Sequence, residues 1–308
     1  MNNPENIPTI PAKTIVSRVQ KPSHWFGAEY NMNIYRGCSH GCIYCDSRSD
    51  CYNNKDFDTV KSKENALQII RNELRRKVST GVIATGAMSD PYNPFEHRLK
   101  LTRNALELIN AYVFGVAIAT KSTLVTRDVD ILQDIITHSP AIVKITITTA
   151  NEELCKKLEP NVSPASERFQ ALSVLAYNNI FCGVLMMPIF PFINDNEENI
   201  LQILRCAKQS GAQFVYPAFG MTLREGNREY YYGQLDKLFP ELKENYIKRY
   251  GNLYENPSPY AKKLWGIFTT ECERLGLLYN MKAIIGRYKA GYAKQQLTLF
   301  SGKSLGED

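Results

Sequence analysis

Residues 29–46 read EYNMNIYRGCSHGCIYCD. The stretch 29–35 reads as a strand and runs directly into three cysteines, Cys38, Cys42 and Cys45, spaced C-x3-C-x2-C. With eight cysteines in 308 residues, a given triplet of this spacing arises by chance in roughly one chain in two hundred. Three thiolates ligate three irons of a four-iron cube and leave the fourth iron open. That open position can chelate an amino and a carboxylate group and pass an electron, as unfilled positions do in catalytic metal sites. The alternative is a structural zinc site with His40 or Cys51 as fourth ligand. Such sites usually take two ligand pairs parted by a longer loop, and no second pair exists here. The remaining cysteines, Cys51, Cys155, Cys182, Cys206 and Cys272, are scattered and read as small buried hydrophobes.

Outward from the cysteines, short apolar strands alternate with amphipathic helices. Strands are expected at 82–86, 116–120, 142–149, 181–189 and 213–219. Helices are expected at 63–76, 102–112, 127–137, 164–178 and 197–210. Six strands joined by helical crossovers imply a parallel sheet, because each parallel return needs a dozen or more residues. Six units, two fewer than a closed barrel, predict an α/β fold with a partial (β/α)6 barrel whose chemistry sits at the C-terminal strand ends. Beyond residue 219 the pattern breaks into aromatic, charged helices, read as a C-terminal helical extension. The expected organisation is an N-terminal segment (1–24), the barrel (25–220), the helical extension (221–290) and a flexible tail (291–308).

Hydrophobic residues make up 44% of the chain and charged residues 22%, the balance of a soluble globule. No run of eighteen apolar residues occurs, so no membrane partner is expected. The opening MNNPENIPTIPAK lacks the charged-then-apolar order of a secretory signal, and a cytoplasmic location is expected. The net charge of +6 is compatible with a phosphate-bearing partner.

The cysteine spacing, with aromatic Tyr44 just before the last cysteine, resembles the signature of the radical S-adenosylmethionine (SAM) superfamily. The resemblance implies a [4Fe–4S] cluster on Cys38, Cys42 and Cys45, and an electron donor such as flavodoxin or ferredoxin. It also implies reductive cleavage of S-adenosyl-L-methionine to a 5′-deoxyadenosyl radical that abstracts hydrogen from a substrate. It places Tyr44 against the adenine. A pocket for this cofactor needs a cation, an acceptor and hydroxyls, and the strand ends carry them. Lys121 can pair with the carboxylate, Ser89 with the amino-acid end and Thr146 with the ribose. Asp90 can accept from the ammonium or fix its loop.

Over 25–220 the chain further resembles the spore photoproduct lyase branch, the DNA repair photolyase-like proteins. The stretches that carry the likeness are NMNIYRGCSHGCIYC, SDPYNPFE, TKSTLVTRDVDIL, ITITTANEELCKKLEP and GVLMMPIFPFIND. In that branch the positions matching Ser89, Lys121 and Thr146 contact the cofactor, and the one matching Met187 lies beside it. Two departures stand out. Ala87 and Met88 occupy the place of the lyase's hydrogen-donating cysteine, and Asp46 that of a tyrosine in its radical relay. The resemblance therefore implies a relative with another substrate or end step, acting on damaged or modified DNA. The alternatives are a radical enzyme for a protein, peptide or metabolite, and a non-catalytic iron–sulfur protein that binds DNA or the clamp.

Near the C-terminus, Lys282, Arg287, Lys289 and Lys294 are interleaved with Tyr288 and Tyr292. That mixture suits phosphates and stacked bases, or a solvated helix. Gln296, Leu297, Leu299 and Phe300 then form QLTLF, which resembles the peptide by which bacterial repair proteins dock on the sliding clamp. The other reading of these residues is a hook packed on the barrel.

Overall fold

The computed structural model describes residues 7–20 and 25–292. Its strands are β1 (Thr9–Ile10), β2 (Val16–Arg18), β3 (Tyr30–Met32), β4 (Tyr35–Arg36), β5 (Lys61–Lys63), β6 (Val82–Thr85), β7 (Gly115–Thr120), β8 (Ala141–Thr146), β9 (Phe181–Ile189), β10 (Phe214–Thr222) and β11 (Glu255–Pro257). The main sheet runs β11-β10-β9-β8-β7-β6-β3-β2 and is open. From β3 through β6, β7, β8 and β9 to β10 every pairing is parallel, while β2 and β11 flank the set antiparallel. This is the six-stranded partial barrel that the alternation predicts. A separate small sheet, β1-β5-β4, braces the loop that carries the cysteines.

The helices are α1 (Ala66–Arg75), α2 (Glu96–Leu99), α3 (Leu101–Ala111), α4 (Val129–Ile136), α5 (Glu152–Leu158), α6 (Ala165–Tyr177), α7 (Glu197–Gln209), α8 (Asn227–Leu238), α9 (Leu242–Tyr250), α10 (Ala261–Leu275) and α11 (Met281–Lys289). Their apolar stripes face the sheet: in α1 the buried residues are Ala66, Ile70 and Leu74, one per turn. Side-chain caps fix the starts of α5 and α7, where Asn151 accepts from Leu154 N–H and Asn196 from Asn199 N–H, both at 2.9 Å. The central strand β8 is covered on both faces, and every residue of it is buried, as its near-continuous apolar run requires. No helix among the described residues is long and apolar enough to cross a membrane.

Several boundaries differ from expectation. The strand expected at 29–35 is split, because Tyr35–Arg36 leaves the main sheet to pair with Lys61–Lys63. That pairing also delays the first helix to Ala66. The strand expected to reach 149 ends at Thr146. The extension past residue 220 contributes helices α8 to α11 and also strand β11.

Helices α8 and α9 pack on the back of the cysteine loop, where Tyr231, Leu235, Tyr246 and Tyr250 share a core with Ile43 and Tyr44. Helix α11 closes the N-terminal end of the barrel, with Ile284 and Tyr288 against Val82, Ile142 and Phe214. This corrects the nucleic-acid reading of the basic, aromatic stretch. Tyr288 donates to Phe26 O at 2.5 Å, Tyr292 donates to Ile136 O at 2.7 Å, and Lys289 pairs with Glu29 at 3.0 Å. The tyrosines are spent on packing, while Lys282 and Arg287 remain exposed. Lys294, Gln296, Leu297, Leu299 and Phe300 lie outside the described residues.

Candidate active site

The cysteine loop leaves the small sheet through Gly37, whose φ of +78° and closeness to Thr59 exclude a side chain: a Cβ would come 2.3 Å from Thr59 O. Backbone bonds then pin the loop from both sides. Cys38 N–H donates to Phe57 O at 2.8 Å, Ile43 N–H to Leu158 O at 3.0 Å and Asn161 N–H to His40 O at 3.1 Å. The result sets Cys38, Cys42 and Cys45 on the wall of one cavity of about 380 Å³. The same cavity is lined by the strand ends, among them Ser89, Asp90, Lys121 and Thr146. Residues far apart in sequence thus meet at the C-terminal face of the barrel, as the fold rule requires.

A second cavity of about 500 Å³ lies beside the first, between the ends of β9, β10 and β11. Cys45, Ser47, Ala87 and Lys121 line both. Tyr44 and Met187 line the second. All six residues expected at a cofactor therefore border these two adjoining spaces, which are in the size range of small-molecule sites.

Asp90 acts as the junction of three loops. Its Oδ1 accepts from Thr120 Oγ1 at 2.6 Å and Tyr92 N–H at 2.9 Å, and its Oδ2 from Lys121 N–H at 2.8 Å. His40 Nδ1 stands 3.6 Å from the same carboxylate. Of the two roles open to Asp90, fixing the loop is the one this geometry fulfils. Burial opposes protonation of His40, but Asp90 and Cys38 outweigh it and raise its pKa. Ser89 is turned toward the cysteine loop, donating to Gly37 O at 2.5 Å.

Lys121 is half-buried, with its ammonium 5.5 Å from the centre of the Tyr44 ring. Burial alone would push its pKa down, yet Cys42, Glu159, Cys45 and Asp90 together hold it above the ordinary lysine value. Tyr44 donates its hydroxyl to Glu159, and its ring packs edge-on against Phe190 at 4.8 Å. Glu159 pairs in turn with Arg168. Glu159 lies within the stretch ITITTANEELCKKLEP that carries the likeness, but nothing singles out either it or Arg168, because both sit among other polar and charged residues in the sequence.

The donor set fits an iron–sulfur cluster better than zinc. The three thiols share a cavity wall, the disposition that three separate irons take, and the second ligand pair that structural zinc sites use does not accompany them in the sequence. Cys51 is exposed and accepts from Arg224 at 3.6 Å, away from that wall. Burial pushes the Cys42 thiol well above its ordinary pKa, against the pull of Lys121. Metal coordination is what ionises such a group.

An open parallel (β/α)6 barrel with three cysteines over a strand-end cavity defines a class of enzyme, and the comparisons agree. Residues 32–204 match the Radical SAM superfamily, and the chain belongs to it. An uncharacterized protein of Mycobacterium tuberculosis is 31% identical over 238 residues, covering 75% of this chain and 68% of that protein. An uncharacterized protein of Methanocaldococcus jannaschii is 36% identical over 201 residues, covering 64% of this chain and 73% of its own. Among solved structures, spore photoproduct lyase complexed with dinucleoside spore photoproduct is similar at a TM-score of 0.63 and 16% identity, over 87% of this chain and 80% of that one. A radical S-adenosylmethionine methyltransferase of Kitasatospora setae, with cobalamin and a [4Fe–4S] cluster bound, is similar at a TM-score of 0.52 and 10% identity, over 80% and 50% of the two chains. At these identities the structural likeness is one of fold. The superfamily works with a [4Fe–4S] cluster and S-adenosylmethionine, and this chain is a radical SAM enzyme.

Proposed function

We propose that the enzyme removes a hydrogen atom from damaged or modified DNA in the cytoplasm, drawing electrons from a small donor such as flavodoxin or ferredoxin. When bound, the cluster and S-adenosylmethionine supply one electron and a carbon-centred oxidant strong enough to break a C–H bond. The chain's own residues do the rest. Cys38, Cys42 and Cys45 hold the cluster, and Lys121 neutralises the cofactor carboxylate. Tyr44, Ser89, Thr146 and Met187 orient the cofactor, and Asp90 locks the loops that carry them. The observation that carries this reading is the second cavity, which adjoins the cysteine cavity through shared walls and opens at the edge of the sheet. It gives a substrate direct access to the site from outside. The likeness of fold to a lyase complexed with a dinucleoside lesion supports a nucleic-acid substrate.

Ala87 lines both cavities and Met88 the first. Neither can donate a hydrogen atom as a thiol does, so the end step differs from a cysteine-quenched one. The test is 5′-deoxyadenosine formation by reduced enzyme with natural, ultraviolet-irradiated or alkylated DNA, followed by mass spectrometry of the nucleosides. Stimulation by one of these and a changed nucleoside support the reading. Stimulation by peptides or metabolites alone would move the substrate to another class.

A further inference from the structure

The interior of the barrel holds an ionisable group to which the roles above assign nothing. Lys144 lies on β8 level with Ala119 of β7. It is two residues below Thr146 and so about 7 Å deeper in the barrel than the strand-end rim. Its side chain is 1% exposed and lines the cysteine cavity from below. Barrel interiors are ordinarily filled by Val, Ile and Leu. Here Ala84 and Ala119 stand beside Lys144 on the same cavity wall and leave the space open.

Among the described residues, the Lys144 amine has no carboxylate at ion-pair distance and donates no hydrogen bond. The amine sits over the face of Phe26, 4.5 Å from the ring centre. Phe26 is packed edge-on by Trp25 at 5.0 Å and by Tyr216 at 5.6 Å. Burial alone pushes the amine down to about 7. Buried charges are held in proteins where a counter-charge meets them, and this one meets none among the described residues. Asn31 and Thr146 border the same space and add hydrogen-bonding groups.

We propose that Lys144 anchors an oxyanion subsite inside the barrel, where a phosphate or carboxylate group of the substrate supplies the counter-charge the fold omits. This deepens the reading above by naming a group the substrate presents, and it rests on that reading only for taking the occupant to be the substrate.

The test uses the reconstituted holoenzyme and cyanate, which carbamylates unprotonated amines, with labelling at each lysine followed by peptide mass spectrometry. At neutral pH Lys144 should react faster than exposed Lys263. Inorganic phosphate or acetate at ten times its dissociation constant should slow Lys144 about tenfold by mass action, with Lys263 unchanged. Protection by phosphate alone assigns a phosphoryl group, and protection by acetate alone a carboxylate; either supports the subsite. Lys144 that is unreactive without added anion, or reactive and unprotected by both, overturns it. A dinucleoside monophosphate separates the two claims. If it fails to protect where phosphate succeeds, the DNA reading falls and the subsite stands.

Discussion

Glu159 and Arg168 form an ion pair of 2.6 Å in which each side chain is only 1% exposed. The pair joins the cysteine loop to the end of β8. Glu159 also accepts the Tyr44 hydroxyl, and Arg168 donates to Thr146 O at 2.8 Å and Ser163 O at 2.7 Å. Burial would raise the Glu159 pKa, but Arg168, Lys121 and Tyr44 outweigh it and hold the carboxyl below its ordinary value. Tyr44 and Thr146, which stand on different elements, are thereby held in one frame.

Removing one partner of a buried pair strands the other charge. Arg168→Met should cost about 3–5 kcal/mol in urea unfolding. Breaking the exposed pair of Lys156 and Glu153 with Lys156→Ala should change stability by less than about 1 kcal/mol. Equal effects of the two substitutions would show that the buried pair is not a brace.

Lys144 gives the stability a pH dependence of known sign. Its pKa falls from 10.5 to about 7 on folding, so between these values the unfolded chain binds more protons than the folded one. Stability contributed by this site therefore rises with pH, by up to about 1.4 kcal/mol per pH unit, and the penalty is full below about pH 7. Lys144→Met should remove that slope and stabilise the protein at neutral pH. The measurement is the urea midpoint from about pH 7 to 9 for both proteins. A wild-type midpoint that falls over this range while the variant's is flat contradicts the assignment.

Lys121 should matter for the cofactor more than for the fold. Lys121→Ala removes a charge-assisted contact worth about 1.5–3 kcal/mol, so S-adenosylmethionine should bind roughly tenfold to a hundredfold more weakly by calorimetry. Unchanged affinity would remove Lys121 from the site.

The barrel was legible because its strands are short apolar runs between helices of strong period, and β9 (Phe181–Ile189) matches its expected bounds. The cysteine wall and the strand ends were legible because motif spacing and strand order both point to one face. Glu159 and Arg168 were not, because Glu159 meets Tyr44 from over a hundred positions away, Arg168 meets Thr146 O from 22 positions away, and no local pattern encodes such contacts. Lys144 did leave a signal. It is a charge inside the apolar run AIVKIT, two residues before Thr146, so strand alternation puts both on the barrel's inner face. The small sheet β1-β5-β4 and strand β11 are only two or three residues per strand, too short for periodicity to register.

The segment 296–300 lies outside the described residues, and its clamp reading is tested on its own. A synthetic peptide covering 292–301 should bind purified bacterial sliding clamp. Leu299→Ala with Phe300→Ala should abolish that binding and leave iron content and cofactor cleavage intact. Loss of thermal stability in the double variant would mean that the two side chains pack on the fold.

The central claim is that Cys38, Cys42 and Cys45 hold a four-iron cluster that cleaves S-adenosylmethionine. The direct measurement is iron and sulfide content after anaerobic reconstitution, together with 5′-deoxyadenosine formed on reduction. The wild type and Cys51→Ala should each carry about four irons and four sulfides and form 5′-deoxyadenosine, whereas Cys38→Ala, Cys42→Ala and Cys45→Ala should each lose both. Stoichiometric zinc without iron uptake, or cofactor cleavage that survives loss of any of the three cysteines, contradicts the account.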